Sequence, residues 1–336
     1  MTIVKEFLDC FPFTDVPRTI ERDEHLLLGA PLPSPMGRPQ AYEPLQAVHF
    51  ASEYADTGFA PPRGVYECEG IRVEWQIMNF RQPFYHRNTG ADELSYQVCG
   101  ERTVLTEFGS ENVAPGEFIL IPNGVAHDNF GRRDIHLLFY VPDRLEAQMK
   151  SVRSAQLMES PFPGWAPKSL NELVTGKLGG HGTDLAFFPS NEALLLDNAK
   201  LHTNRLQVLR PGDAVEGTTW AYRSKRVAIG RHFAPTSAGD HYWRHLDADE
   251  VQYQLSGERS LVTQRGLLQI SPGDFVRIPK GVAFTSIHAA PNAYLRLAAT
   301  HAIPQVAKGT KHATELDSGE LDRLRAAVTG LRVEVH

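Results

Sequence analysis

Residues 71–78, Ile-Arg-Val-Glu-Trp-Gln-Ile-Met, alternate apolar and polar positions, which is the period of a half-buried strand. Residues 94–98, 102–106, 118–121 and 136–141 read as further short strands. Gly100, Pro115-Gly116 and Pro122-Asn123-Gly124 punctuate them. Short strands at even spacing with Gly/Pro turns predict a β-sandwich or jelly-roll barrel. Helical patterns are expected over 143–158, after Pro142, and over 318–328, with Ser318 as N-cap and Gly330 as stop. On the polar alternate positions, Glu74, Gln76 and Met78 share one face of their strand, inner or outer. Ser95, Gln97 and Cys99 share a face with Glu93.

The pattern occurs twice. Sliding the chain by 157 residues lays 91–126 on 248–283 without a gap, and 18 of the 36 positions are identical. Ala91-Asp92-Glu93 falls on Ala248-Asp249-Glu250, Gly100-Glu101-Arg102 on Gly257-Glu258-Arg259, and Gly124-Val125-Ala126 on Gly281-Val282-Ala283. Agreement of this extent at one offset indicates a duplicated domain. The expected organisation is an N-terminal arm (1–60), a first barrel (61–158), a linker (159–200), a second barrel (201–310) and a C-terminal helix (311–336). The Pro-punctuated residues 1–40 are expected to wrap the first barrel or meet another subunit.

Length and composition narrow the class. A chain of 336 residues can bury two cores without disulfides. A net charge of -6 with mixed signs argues against a nucleic-acid partner. No run approaches a membrane span. Met1 leads into Lys5, Glu6 and Asp9 rather than an apolar signal core. Cys10, Cys68 and Cys99 are odd in number and lack metal-knuckle spacing, so a cytoplasmic location is expected.

The chemistry concentrates in the first copy. His86, Asn88 and Glu93 lie on one hairpin arm, and His127 follows Gly116-x5-Pro122-x-Gly124-x2. Two imidazoles and a carboxylate are a ligand set for Fe(II) that leaves positions free for substrate and dioxygen. Asn88 either touches the metal loosely or orients a bound water. In the second copy Trp243, His245 and Phe284 stand at the positions of His86, Asn88 and His127. The metal is therefore placed in the first barrel. His241 with His245 and Glu250 is an alternative set in the second. His136 is a candidate acid/base, Gln97 a candidate contact for substrate or dioxygen, and Tyr85 and Arg81 candidates for the mouth.

These motifs resemble the two-part signature of the cupin superfamily, over roughly 70–141 and 227–300. The resemblance implies an all-β fold of two tandem cupin (jelly-roll β-barrel) domains with a few peripheral helices. Tyr85-His86-Arg87-Asn88 with Glu93 is also similar to the iron-binding stretch of homogentisate 1,2-dioxygenase and of the large subunit of hydroquinone dioxygenase. Here the Glu follows His86 by seven residues rather than six, and the intact set is N-terminal rather than C-terminal. Gentisate dioxygenases share the bicupin length and an N-terminal iron, but use three His. The resemblance implies a non-haem Fe(II) dioxygenase that opens a para-dihydroxylated aromatic ring. Its co-substrate would be O2, and a base such as His136 would assist. Another metal-dependent bicupin enzyme using Mn(II) or Zn(II), or a small-molecule-binding bicupin, is the alternative. A homodimer or higher homo-oligomer is expected, with a small partner subunit as the other arrangement.

Overall fold

The computed structural model describes residues 2–32, 43–56, 60–158, 170–180 and 182–333. Its strands gather into three sheets of seven, eleven and eight strands. The eleven-stranded sheet builds the first barrel, and the other two build the second. The long strands Asp92–Thr106 and His127–Val141 run antiparallel through the first barrel, with Glu93 opposite Tyr140 and Gln97 opposite His136. Their counterparts in the second barrel, Asp249–Ser256 and Asn292–Ala299, place Glu250 opposite Ala298 and Gln254 opposite Tyr294. The fold is the all-β, two-barrel architecture that the alternation and the repeat predict.

The barrels meet through a dry sheet-on-sheet interface. Val73, Trp75, Ile77, Leu94, Tyr96, Leu137 and Phe139 of the first share one apolar cluster with residues of the second, including Ile229, Val251, Tyr253, Phe275, Leu295 and Leu297. Removing each such large side chain from water contributes roughly 1.5–3 kcal/mol. Because strand residues alternate between faces, this contact decides which way the polar residues point. Glu74 and Gln76, and likewise Glu93, Ser95 and Gln97, turn into the lumen and are buried there.

Beyond the barrels, expectation and structure part at several places. The N-terminal arm belongs to the second barrel, not the first. Strand Ile3–Asp9 pairs in parallel with His241–His245, Arg18–Asp23 pairs with Ile3–Asp9, and Gln46–His49 pairs with Asp274–Ile278. Conversely, the expected linker contains Leu170–Thr175, which pairs in parallel with Phe84–Asn88, followed by Asp184–Ser190 and a helix Glu192–Asp197. The reason is the same on both sides. The strand carrying His86 bonds to the barrel's long strand at a single register position, His127↔His86, and its equivalent does so at Trp243↔Phe284. Each leaves a ladder of backbone groups that must be paired once buried. Each barrel takes the missing strand from the other copy's leading segment. Similarly, Gln207–Leu209, expected in the second barrel, pairs with Phe118–Ile121 of the first.

No helix forms over 143–158. There, Glu146–Ala147 pairs with Tyr222 and Arg223, Arg153–Ser154 pairs with Gln207 and Val208, and Arg153 bonds Glu117. Tertiary pairing overrides a helix-prone composition. The C-terminal helix spans Ser318–Val333, so Gly330 does not stop it, and Asp317 Oδ1 accepts from Gly319 N at its start. Part of the expected link, 159–169, lies outside the described residues. No helix among those described is long and apolar enough to cross a membrane.

Phe139 stands at the centre of the inter-barrel contact. Phe139→Ala is expected to lower unfolding free energy by about 3–5 kcal/mol. Chemical denaturation followed by circular dichroism reads this directly, and a loss under 1 kcal/mol would show that the interface carries little of the stability.

Candidate metal centre

Among the described residues, His86, Glu93 and His127 are the one group of three or more His, Cys, Asp or Glu placed to hold an ion. Their ligand atoms lie within 4.8 Å of one another. His86 comes from Phe84–Asn88, Glu93 from the start of Asp92–Thr106, and His127 from the start of His127–Val141. The turns that bring them together need left-handed backbone at Gly116 (φ 89°) and Gly124 (φ 83°). Gly273 and Gly281 repeat both in the second barrel, so these glycines serve the barrel and not the metal.

The hydrogen bonds orient the set. Glu93 accepts from Asn88 Nδ2 at 2.6 Å, and Asn88 Oδ1 accepts from the Thr175 hydroxyl at 3.1 Å. Thr175 has then given its one proton, so its contact of 2.8 Å with His86 Nε2 requires that nitrogen to donate. His86 Nδ1 is left with a bare lone pair, 3.8 Å from Glu93 Oε2. On the other side, His127 Nε2 lies 3.3 Å from Glu93 Oε1. Asn88 is thereby engaged at both ends and holds Glu93. Thr175, which comes from the expected linker, was not legible as a site residue, because only the inter-copy strand pairing brings it here.

The charges are those a divalent cation needs. Burial, then the neighbouring His127, pushes His86 down to about 4, so the ring is neutral at pH 7. Burial alone would raise Glu93, but His127, His86 and the Asn88 amide overcome it and hold the carboxyl at about 2. Two imidazoles and an ionised carboxylate, brought within reach of one another, fit a divalent transition metal with positions left open.

Deeper in the lumen, His136 is fully buried, with Nδ1 2.9 Å from Asp134 Oδ2. Burial and then the charge of Arg102 lower its pKa, so the neutral ring donates from Nδ1 and presents a bare Nε2. Gln97 is also fully buried, and its Nε2 donates to Asp134 Oδ1 and to Cys99 O. Tyr85, expected at the mouth, is not part of this site. It neighbours His86 on its strand and so faces the other way, packed with Leu105, Ala126, Leu195 and Leu196, its hydroxyl donating to Glu192 at 2.8 Å. The metal-poor barrel repeats this bond between Tyr242 and Glu24 at 2.7 Å, which marks it as structural. Arg81 faces the same outer cluster, bonded to Asp128 and Glu192.

The second lumen supplies its own cation. Arg296 Nη2 lies 2.8 Å from Glu250 Oε2 and 2.7 Å from His245 Nε2, and Phe284 occupies the position of His127. His241 is half exposed and pairs with Asp240, so it does not rebuild a metal set. Phe13, from the N-terminal arm, closes the lumen against His245 and Trp220 with ring centroids 4.8 and 5.6 Å away. The equivalent turn over the first lumen carries Gly179, beside Asn88 and Tyr140, with φ 66° against 63° for Phe13. The first barrel therefore has no side chain at this position, where Asn88 and Tyr140 lie against the glycine.

Fold and site together define a protein of two tandem β-barrels with, among the described residues, one metal-competent set. No family model matches the sequence, and no curated protein matches it. Among solved structures, the chain is similar to a cupin 2 conserved barrel domain protein from Leptotrichia buccalis (8% identity, 73% of this chain and 92% of that one, TM-score 0.45). It is also similar to AerE from Microcystis aeruginosa (8%, 75% and 100%, TM-score 0.43). A third is Bacillus subtilis oxalate decarboxylase, described for its Mn(II) centres (14%, 80% and 81%, TM-score 0.46). Likenesses of this size carry neither substrate nor metal across, and the reading of the site rests on its own residues.

Two outcomes are expected. Thr175→Val should weaken metal binding roughly 10–100-fold, since it frees the His86 ring; competition with a chelator measures it, and unchanged affinity would remove Thr175 from the site. Wild-type protein should hold one metal per chain by elemental analysis, and the double variant F284H/R296L should hold two.

Proposed function

We propose that the protein is a metal-dependent enzyme acting on a small oxygen-bearing molecule in the lumen of the first barrel. The observation that carries this is the buried His86/Glu93/His127 set in a lumen that also holds a neutral, carboxylate-oriented His136. The finer reading is a non-haem Fe(II) dioxygenase that cleaves a para-dihydroxylated aromatic ring. It is supported by a two-histidine, one-carboxylate ligand set and by the likeness of Tyr85-His86-Arg87-Asn88…Glu93 to ring-cleaving dioxygenases. A bound metal would supply a template for substrate and dioxygen, Lewis acidity and a path for electrons. His136 Nε2 would take the proton of a ring hydroxyl, with Asp134 steadying the imidazolium. Gln97, tethered by Asp134, would offer its carbonyl oxygen to the substrate.

A second reading is redox-neutral chemistry, decarboxylation or isomerisation, at Mn(II) or Zn(II). The Asp134–His136 pair and the buried Arg102 favour it, as groups that move a proton and hold an anion. Oxygen uptake by protein loaded anaerobically with Fe(II), against hydroquinone, gentisate and homogentisate, separates the two. Uptake stoichiometric with substrate and lost in His127→Ala is expected for the dioxygenase. Metal retained with no uptake on any of these substrates would overturn it in favour of the second reading.

A further inference from the structure

We propose that Arg102 is the anchor for a carboxylate, so that the ligand of the first lumen is a small organic acid held between metal and guanidinium. The proposal rests on the metal-enzyme reading only in taking that ligand to be a substrate. Arg102 is wholly buried, and its Nη2 donates to Ser95 Oγ at 2.6 Å. Its Nε and Nη1 have no partner among the described residues. Gln97 Oε1, Asn129 Oδ1 and His136 Nε2 are also buried and unpartnered.

The duplicated barrel is the control. Arg259 holds the position of Arg102 and is as buried, yet every arm of its guanidinium is bonded. Nε donates to Gln254 Oε1 at 2.8 Å, Nη1 to Ser286 Oγ at 2.8 Å, and Nη2 to Gln252 Oε1. Gln254 and Ser286 are the equivalents of Gln97 and Asn129, and Gln252 that of Ser95. The first barrel keeps the arginine and shortens Gln252 to Ser95, which still accepts from Nη2; the arms left unbonded are those that Gln254 and Ser286 fill in the second barrel. A buried guanidinium with two unbonded arms is expensive unless an acceptor completes it, and an ionised carboxylate oxygen is the strongest acceptor for such a group. The unpaired acceptors beside it suit hydroxyl groups on the same ligand. Ser95 follows Glu93 by two residues on the lumen face, so the side chain that Arg102 holds lies roughly 7 Å along the strand from the Glu93 carboxylate's own position.

Calorimetry on metal-free and Zn(II)-loaded protein with gentisate, oxalate and hydroquinone tests this. Gentisate and hydroquinone share a ring and differ by one carboxylate. Gentisate or oxalate should bind at least tenfold tighter than hydroquinone. Arg102→Gln should bring that ratio to about one with metal content unchanged. Asn129→Ser, which copies the second barrel's acceptor for Nη1, should do the same while leaving the arginine and the fold in place. The proposal is overturned if no carboxylate binds, if hydroquinone binds as tightly, or if both variants keep the preference. Loss of metal from the wild type would instead defeat the metal-enzyme reading, and the carboxylate preference of metal-free protein would still be readable.

Discussion

The apolar contact between the two central sheets sets the polarity of everything inside. A strand has two faces, and in this molecule the hydrophobic one is spent on the other barrel, where Trp75, Leu137 and Phe139 meet Ile229, Tyr253 and Leu297. The alternate residues have nowhere to go but the lumen. Glu93, Gln97 and His136 are buried because their neighbours are, and each must then find a partner or a ligand there. An ordinary single barrel could fill its lumen with Leu and Val. Pairing the barrels back to back makes a polar lumen compatible with a stable sheet.

The second dependency is the exchange of leading segments between copies. Ile3–Asp9 completes the second barrel and Leu170–Thr175 completes the first, each alongside the strand that carries the metal-motif position. The outer faces of these strands are tied alike. Arg87 bonds Glu172 and Glu107, and Arg244 bonds Glu6 and Gln264. One consequence is chemical: Thr175, which fixes the tautomer of His86, belongs to the second copy's leading segment. The metal centre of the first barrel thus depends on chain that lies beyond that barrel in sequence, so truncation after residue 158 would remove part of the site.

Much of this was legible in the residues. Alternation at 71–78 gave the strand, the repeat at 157 gave two barrels, and His86, Glu93 and His127 at their offsets gave the ligand set. The parts that were not legible depend on long-range pairing. Residues 143–158 have helix-like composition, and only contacts with Tyr222 and Val208 make them extended. Tyr85 looked like a mouth residue because it adjoins His86; a strand reverses side-chain direction at every step, so adjacency argued for the opposite face. Asn88 reads from spacing as a loose ligand or an orienter of water, and its bond to Thr175 depends on a strand that spacing does not reveal. The leading segments escaped notice because backbone bonds, which carry no sequence signature, join them to their barrels.

The two lumens show how a duplicated site diverges. In the second, Arg296 reaches Glu250 and His245 and supplies the positive charge that a metal would bring; burial pushes the carboxyl up, and that guanidinium with His245 overcomes it and holds the group well below its usual range. Its counterpart by strand register in the first is Leu138, opposite Ser95 as Arg296 is opposite Gln252. Leu138 cannot compensate Glu93, so that carboxylate depends on His86, His127 and whatever cation they share. The same divergence runs through Phe13 against Gly179 at the mouth and Gln252 against Ser95 beside the buried arginine. At all three places the second barrel carries the larger or charged side chain and the first a smaller or apolar one. In the second copy Arg296 supplies within the chain the charge that in the first the carboxylate draws from His86 and His127.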